Sequence, residues 1–305
     1  MSLNLPFFTP SPMSLKIKPI PFEWGARTYV MGILNITPDS FSGDGLIPPP
    51  YELGAAYYAL EQAHRFVAAG ADILDVGGES TRPGAVPVSA AQEMLRVVPI
   101  IAALTEAFPD IPVSIDTYKA EVAQAAIEVG AGMVNEVWGL RADPDMGSVV
   151  ERYGVPIILM HNRSKPANAH LEARLGGRYV GVQYENLLED VKRELLDSVA
   201  LARAAGIPDN KIILDPGIGF GKTVPQSLEL LNRLDEIKAL GYPVLLGPSR
   251  KSFIGYTLDL PPDQRVEGTA ATIAIGIARG ADIVRVHDVE AMVRVAKMTD
   301  AIVRG

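Results

Sequence analysis

The stretch AGADILDVGGESTR, residues 69–82, decides the fold. Gly70 stands where a helix gives way to a left-handed residue, a conformation that glycine takes without steric cost. The apolar run that follows, 73–76, has the character of a strand buried on both faces. Glu79, Ser80, Thr81 and Arg82 then end the unit on polar groups. Residues 279–287, RGADIVRVH, repeat that order of helix stop, strand start and polar strand end.

The same alternation extends along the chain. Strand candidates lie at 29–36, 73–76, 112–115, 133–137, 156–160, 211–214, 243–246 and 282–286. Helix-like segments occupy 52–69, 90–107, 119–129, 146–153, 183–205, 225–240, 263–279 and 289–303. Gly130, Gly206 and Gly241 mark further helix ends. Strands each followed by a helix predict an α/β fold, a (β/α)8 TIM barrel in a single domain. An open doubly wound sheet is the alternative, but it rarely uses so many regular units. The barrel is expected over 26–305, behind a short N-terminal extension, 1–25, whose first 20 residues read as an extended arm. Two connections are long, 37–51 and 162–182, and both follow strands. On a barrel they would sit over the catalytic face.

Composition narrows the function. The 305 residues hold 28 Lys plus Arg, 36 Asp plus Glu, four histidines and no cysteine, for a net charge of −8. Disulfides, thiolate metal sites and a cysteine nucleophile are therefore excluded. The acidic balance argues against a nucleic-acid partner. At 48 % apolar and 21 % charged, the chain reads as a soluble globular protein. Prolines at 6, 10, 12, 19 and 21 and the late Lys16 and Lys18 are unlike a signal peptide. No uninterrupted apolar run approaches the about 18 residues of a membrane span. The expected location is the cytoplasm, with no membrane partner.

A barrel carries its chemistry at the C-terminal ends of its strands. Those ends here carry Asn35 and Asp39, Glu79 to Arg82, Asp116, Asn135 with Glu136, and His161. They continue with Asp215, then Ser249, Arg250, Lys251 and Ser252, and finally Arg285 and His287. One polar loop residue means little, but polar groups at every strand end mark a site. The loop DPGIGFGKT, 215–223, is not a nucleotide loop: Pro216 replaces the first glycine of a P-loop, and the dinucleotide spacing is absent. Metal-ligand patterns are weak, although Mg²⁺ held mainly by substrate phosphates needs only one or two protein oxygens. Arg82, Lys222, Arg250, Lys251, Arg285 and His287 would surround one mouth, which suits an anionic substrate. One or two of these arginines are expected to pair with Asp288, Glu267 or Glu79.

Several motifs are specific. They are GILNITPDSFS from Gly32, DVGGESTRPGA from Asp75, SIDTYK from Ser114, NEVWG from Asn135 and LMH from Leu159. DPGIGFGKT from Asp215, GPSRKSFIG from Gly247 and IVRVHDV from Ile283 complete the set. On these, residues 30–303 resemble the dihydropteroate synthases, transferases of folate biosynthesis with a pterin-binding barrel. The resemblance implies that 6-hydroxymethyl-7,8-dihydropterin pyrophosphate condenses with p-aminobenzoate to give 7,8-dihydropteroate and pyrophosphate. It implies a pterin site of Asp116, Asn135, Asp215 and Lys251, and a pyrophosphate site of Asn35, Arg285 and His287. Mg²⁺ would bind through Asn35, and Thr81, Arg82, Pro83, Phe220 and Ser252 would shape the p-aminobenzoate site. Arg285, His287, Asp116 and Lys251 would carry the chemistry, an SN1-like substitution that needs no general base because an aromatic amine is neutral at pH 7. A homodimer and a role as sulfonamide target follow from the same resemblance.

The chain departs from the family pattern at Gly43-Asp44, where Asp-Gly is usual, at Glu136, where Asp is usual, and at Asn162, where Met is common. Methyltetrahydrofolate:corrinoid methyltransferases share the barrel but need no pyrophosphate site, so SRKSFIG and RVHDV argue against them. A non-catalytic pterin-binding relative would not need Asn35, Asp215, Lys251, Arg285 and His287 all intact.

Overall fold

The computed structural model describes residues 14–17, 20–37, 55–81 and 84–305. Eight parallel strands form one sheet: β1 (Tyr29–Asn35), β2 (Ile73–Gly77), β3 (Val113–Asp116), β4 (Met133–Glu136), β5 (Ile157–Met160), β6 (Ile212–Asp215), β7 (Leu245–Leu246) and β8 (Ile283–Val286). Neighbours in the sheet run β6-β5-β4-β3-β2-β1-β8-β7. A parallel bridge between Leu214 and Val244 brings β6 to the residue preceding β7, so the sheet curls round on itself.

The helices are α1 (Ala55–Ala69), α2 (Ala90–Ala107), α3 (Ala120–Glu128), α4 (Met146–Tyr153) and α5 (Leu187–Ala204). They continue with α6 (Val224–Asn232), α7 (Leu234–Lys238), α8 (Ser252–Leu258), α9 (Val266–Ala278) and α10 (Val289–Val303). The expected helix over 225–240 is two helices, parted at Arg233, whose backbone leaves helical geometry (φ −114°, ψ 28°). Helix α8 falls where a loop was expected. Its sequence, SFIGYTL, mixes aromatic and β-branched residues with an interior glycine, all weak helix formers. Gly255 is required there, because a Cβ would lie 2.0 Å from the guanidinium of buried Arg265. Arg265 in turn donates to the carbonyls of Arg250, Leu260 and Leu175, tying three segments together.

Two cores flank the strands. Leu74, Val134, Leu214 and Val284 face the helices. Met31, Ile73, Met133, Ile158, Ile213, Leu245 and Ile283 instead meet inside the barrel, together with Phe22, Trp24 and Tyr29. Strand side chains alternate, so the next inward positions after Ile73, Met133, Ile213 and Ile283 are Asp75, Asn135, Asp215 and Arg285. The lower interior is therefore apolar and the upper interior polar. Part of the expected arm is ordered: Ser14–Ile17 pairs antiparallel with Ile20–Glu23. Phe22 then enters the barrel floor, its ring 4.5 Å from Tyr29 and 5.5 Å from Trp24.

The connection expected over 162–182 is folded. A 3-10 turn, Pro166–Asn168, leads into a small hairpin of Ala169–His170 and Arg178–Tyr179. Arg178 lies 4.3 Å over the ring of Tyr256 in α8. Asp39, Asp44, Arg82, Pro83 and nearly all of the 37–51 connection lie outside the described residues.

Candidate active site

The upper ends of β2, β3, β4 and β8 meet around one guanidinium. Arg285 donates through Nε to Asp75 Oδ2 and through Nη2 to Asp116 Oδ2, each at 2.6 Å. Asn135 Nδ2 donates to the same Asp75 oxygen at 3.2 Å. Burial works against the Arg285 charge, but Asp75 and Asp116 outweigh it and hold the group above its ordinary value. Burial also pushes Asp116 up to about 7, against the pull of Arg285 and with Asp75 adding to the rise. Asn35 ends β1 beside this cluster. A Cβ at Gly77 would lie 3.6 Å from Asp116 Cβ and 3.9 Å from Asn35 Oδ1, so the Asp116 and Asn35 side chains both reach this strand end.

A second cluster forms where β6 meets its glycine-rich loop. Asp215 Oδ1 accepts the Gly217 N–H at 2.7 Å, and burial raises the carboxyl while Lys251 opposes the rise. Lys251 Nζ donates to Ile218 O at 2.5 Å and sits 4.5 Å over the Phe220 ring. Burial pulls this ammonium down to about 8, with Asp215 resisting. Ser252 follows as the first residue of α8. Next to it, Arg250 takes φ 54°, a left-handed backbone that costs energy for arginine. Its guanidinium is fixed by Asp288, Nε to Oδ2 at 2.9 Å and Nη2 to Oδ1 at 2.6 Å. His287 Nδ1 lies 3.0 Å from Ser249 Oγ, which also accepts the His287 backbone N–H.

Asp116, Asn135 and Arg285 thus share one network, and Asp215, Lys251 and Phe220 share the adjoining one. Asn35, Thr81, Ser252 and His287 lie on neighbouring strand ends and loops. Arg250 pairs with Asp288, as expected for one of the arginines. Lys222 does not belong to the mouth: it is 2 % exposed and lies beneath the glycine-rich loop. Asp75, at the centre of the first network, was missed from the expected site. Its signal was a carboxylate at an inward position of the otherwise apolar strand ILDVG. Glu136 builds a turn, accepting the N–H groups of Trp138 at 2.8 Å and Leu140 at 2.5 Å, with Leu140 at φ 63°. Among the described residues, no group of three or more His, Asp or Glu side chains is placed to hold a metal ion, and no helix is long and apolar enough to cross a membrane. A depression of about 640 Å³ lined by Trp138, Arg141, Asn162 and Arg163 includes none of the residues of these two clusters.

Comparison with known proteins gives this geometry a context. Residues 31–287 match the pterin binding enzyme family. The chain is 52 % identical over 291 residues to the dihydropteroate synthase of Clostridium beijerinckii, covering 95 % of this chain and 100 % of that one. The crystal structure of Clostridium difficile dihydropteroate synthase in the presence of pteroic acid matches with a TM-score of 0.82 at 47 % identity, over 93 % of this chain and 100 % of that one. The Yersinia pestis enzyme, solved with a sulfonamide drug, gives a TM-score of 0.86 at 38 % identity over 96 % and 100 % of the two chains. With the fold, the strand-end motifs and these relatives in agreement, the chain belongs to the dihydropteroate synthases of the pterin binding enzyme family.

Proposed function

We propose that this chain joins 6-hydroxymethyl-7,8-dihydropterin pyrophosphate to p-aminobenzoate, releasing pyrophosphate and 7,8-dihydropteroate. The observation that carries the reading is the pairing of two polar clusters above an apolar barrel floor, Asp75–Arg285–Asp116–Asn135 beside Asp215–Lys251. A flat amino-pyrimidinone presents adjacent N–H donors and ring acceptors. Asp215 accepts the donors in a fork, Asn135 both donates and accepts, and Lys251 donates. Asp116 lies at the reacting edge of the ring.

The difficult step is loss of pyrophosphate. The C–O bond at the pterin methylene breaks, its electron pair leaves with pyrophosphate, and the cation is shared with the ring and faces Asp116. The lone pair of the aromatic amine then forms the new C–N bond, and the nitrogen gives its extra proton to water. Arg285 and His287 stabilise the departing charge, Arg285 already charged and oriented by its two carboxylates. Asn35 Oδ1, a hard oxygen donor at the end of β1, would hold Mg²⁺ together with oxygens of the substrate. That ion, when bound, would supply further positive charge for the departing pyrophosphate. Thr81, Arg82, Pro83, Phe220 and Ser252 shape the p-aminobenzoate site, where a sulfonamide would compete.

Residues 26–305 form one catalytic domain in this reading, with 1–25 as its extension. The setting is cytoplasmic and the unit a homodimer. Exposed Ile275 on α9 and exposed Met298 and Ile302 on α10 offer apolar contacts for a second copy. The reading is tested by pyrophosphate release from the synthetic pterin pyrophosphate. Release that requires both p-aminobenzoate and Mg²⁺ supports it; none at saturating substrate sinks it.

A further inference from the structure

Lys222 closes the glycine-rich loop but points away from the cleft. Its Nζ lies 2.9 Å from Gly217 O, 3.1 Å from Phe220 O and 2.9 Å from His161 Nδ1. An ammonium has three N–H bonds, and three acceptors surround it here. With Nδ1 accepting, the proton of a neutral imidazole sits on Nε2, which faces Glu194 Oε2 at 3.0 Å. Burial, reinforced by Lys222, pushes His161 down to about 3, in keeping with a neutral ring. Glu194 is held in turn by Arg163, whose Nε donates at 2.9 Å and whose Nη2 donates as well.

The loop above this chain is held at its edges, by Asp215 at the Gly217 N–H, by Lys251 at Ile218 O and by Tyr184 at Gly221 O. Gly217, Gly219 and Gly221 all take positive φ. A Cβ at Gly217 would fall 1.9 Å from His161 O, and one at Gly221 would fall 2.4 Å from the Arg163 carbonyl carbon. The backbone is therefore pressed onto the end of β5, with no room for a side chain at either glycine. Lys222 braces it from beneath, gripping the carbonyls on either side of Ile218 and Gly219. Burying the Lys222 amino group, whose charge burial disfavours, together with an imidazole costs more than apolar filling of the same space. That cost is spent at the turn that presents Phe220.

We infer that Lys222, His161 and Glu194 are positioning residues: they set the 217–220 loop and so the placement of Phe220 against p-aminobenzoate. The inference rests on the proposed p-aminobenzoate role of Phe220. His161 acts only through Lys222, and its two nitrogens have separable duties. Asn at 161 keeps an oxygen near the Nδ1 position to accept from Lys222 but drops the bond to Glu194. Leu keeps neither.

Steady-state kinetics on wild type, Lys222→Met, His161→Leu and His161→Asn, with thermal unfolding of each, tests this. Lys222→Met and His161→Leu should raise KM for p-aminobenzoate roughly tenfold, while KM for the pterin pyrophosphate moves less than about threefold. His161→Asn should recover most of the loss. A purely structural role would instead lower the melting temperature and leave both KM values unchanged, and that result overturns the inference. Asn performing no better than Leu also overturns it. If Lys222→Met does not fold, the Leu and Asn pair at 161 still decides. Wild-type protein that makes no dihydropteroate would count against the proposed function instead, so the two failures are distinguishable.

Discussion

The lower and upper levels of the barrel interior are built from the same strands, two residues apart. Ile73, Met133, Ile213 and Ile283 join Phe22 and Trp24 in a closed apolar layer. One inward step higher stand Asp75, Asn135, Asp215 and Arg285, all tied by hydrogen bonds or ion pairs. The lower level buries apolar area and strengthens the fold. The upper level works against it: Asp75 Oδ1 is buried with no partner, and Asp116 is held far from its ordinary ionisation. An interior can give up stability at one level because the next level supplies it, and the site sits where the cost is borne.

Phe22→Ala removes a fully buried ring from the lower layer and should cost about 3–5 kcal/mol in chemical denaturation. The kcat per folded molecule should not change; a fall would show that the two levels are coupled. Arg285→Ala should lower kcat by about 10²–10³-fold while KM for p-aminobenzoate stays near wild type. An unchanged kcat in stopped-flow turnover would remove Arg285 from the chemistry.

The pH profile of kcat/KM for the pterin substrate should be bell-shaped. Asp116 must be ionised, so activity rises as pH climbs through about 7. Lys251 must stay protonated, so activity falls as pH passes about 8. Lys251→Arg should shift the alkaline limb upward, and a limb that stays in place would assign it to another group. Glu136→Asp is expected to matter least. The shorter chain cannot reach both N–H groups of its turn, for a loss of about 1 kcal/mol in stability with kcat unchanged.

Much of this was legible in the sequence because it repeats. Helix-stopping glycines recur at 70, 130, 206, 241 and 280 and polar groups end the strands, so the barrel and its polar strand ends follow from the pattern. Asp75 was hidden because the run ILDVG reads as simply buried until the alternation of facing is known. Lys222 was placed at the mouth because glycine-rich loops leave the direction of the next side chain open. In the folded loop Gly217, Gly219 and Gly221, at alternate positions, all take positive φ, and Lys222 lies beneath. Helix α8 was hidden for a tertiary reason: its glycine exists to admit Arg265, a contact made across sequence.

In the proposed function the upper level is the pterin site and the floor beneath it is inert. Calorimetric titration of the pterin pyrophosphate into wild type and Asp215→Asn tests it most directly. Asn offers one acceptor oxygen with an NH2 donor in place of the other, so it can neither receive the two ring donors in a fork nor carry the charge, and affinity should fall roughly 100-fold with the melting temperature held or raised. Undiminished binding by Asp215→Asn would contradict the account.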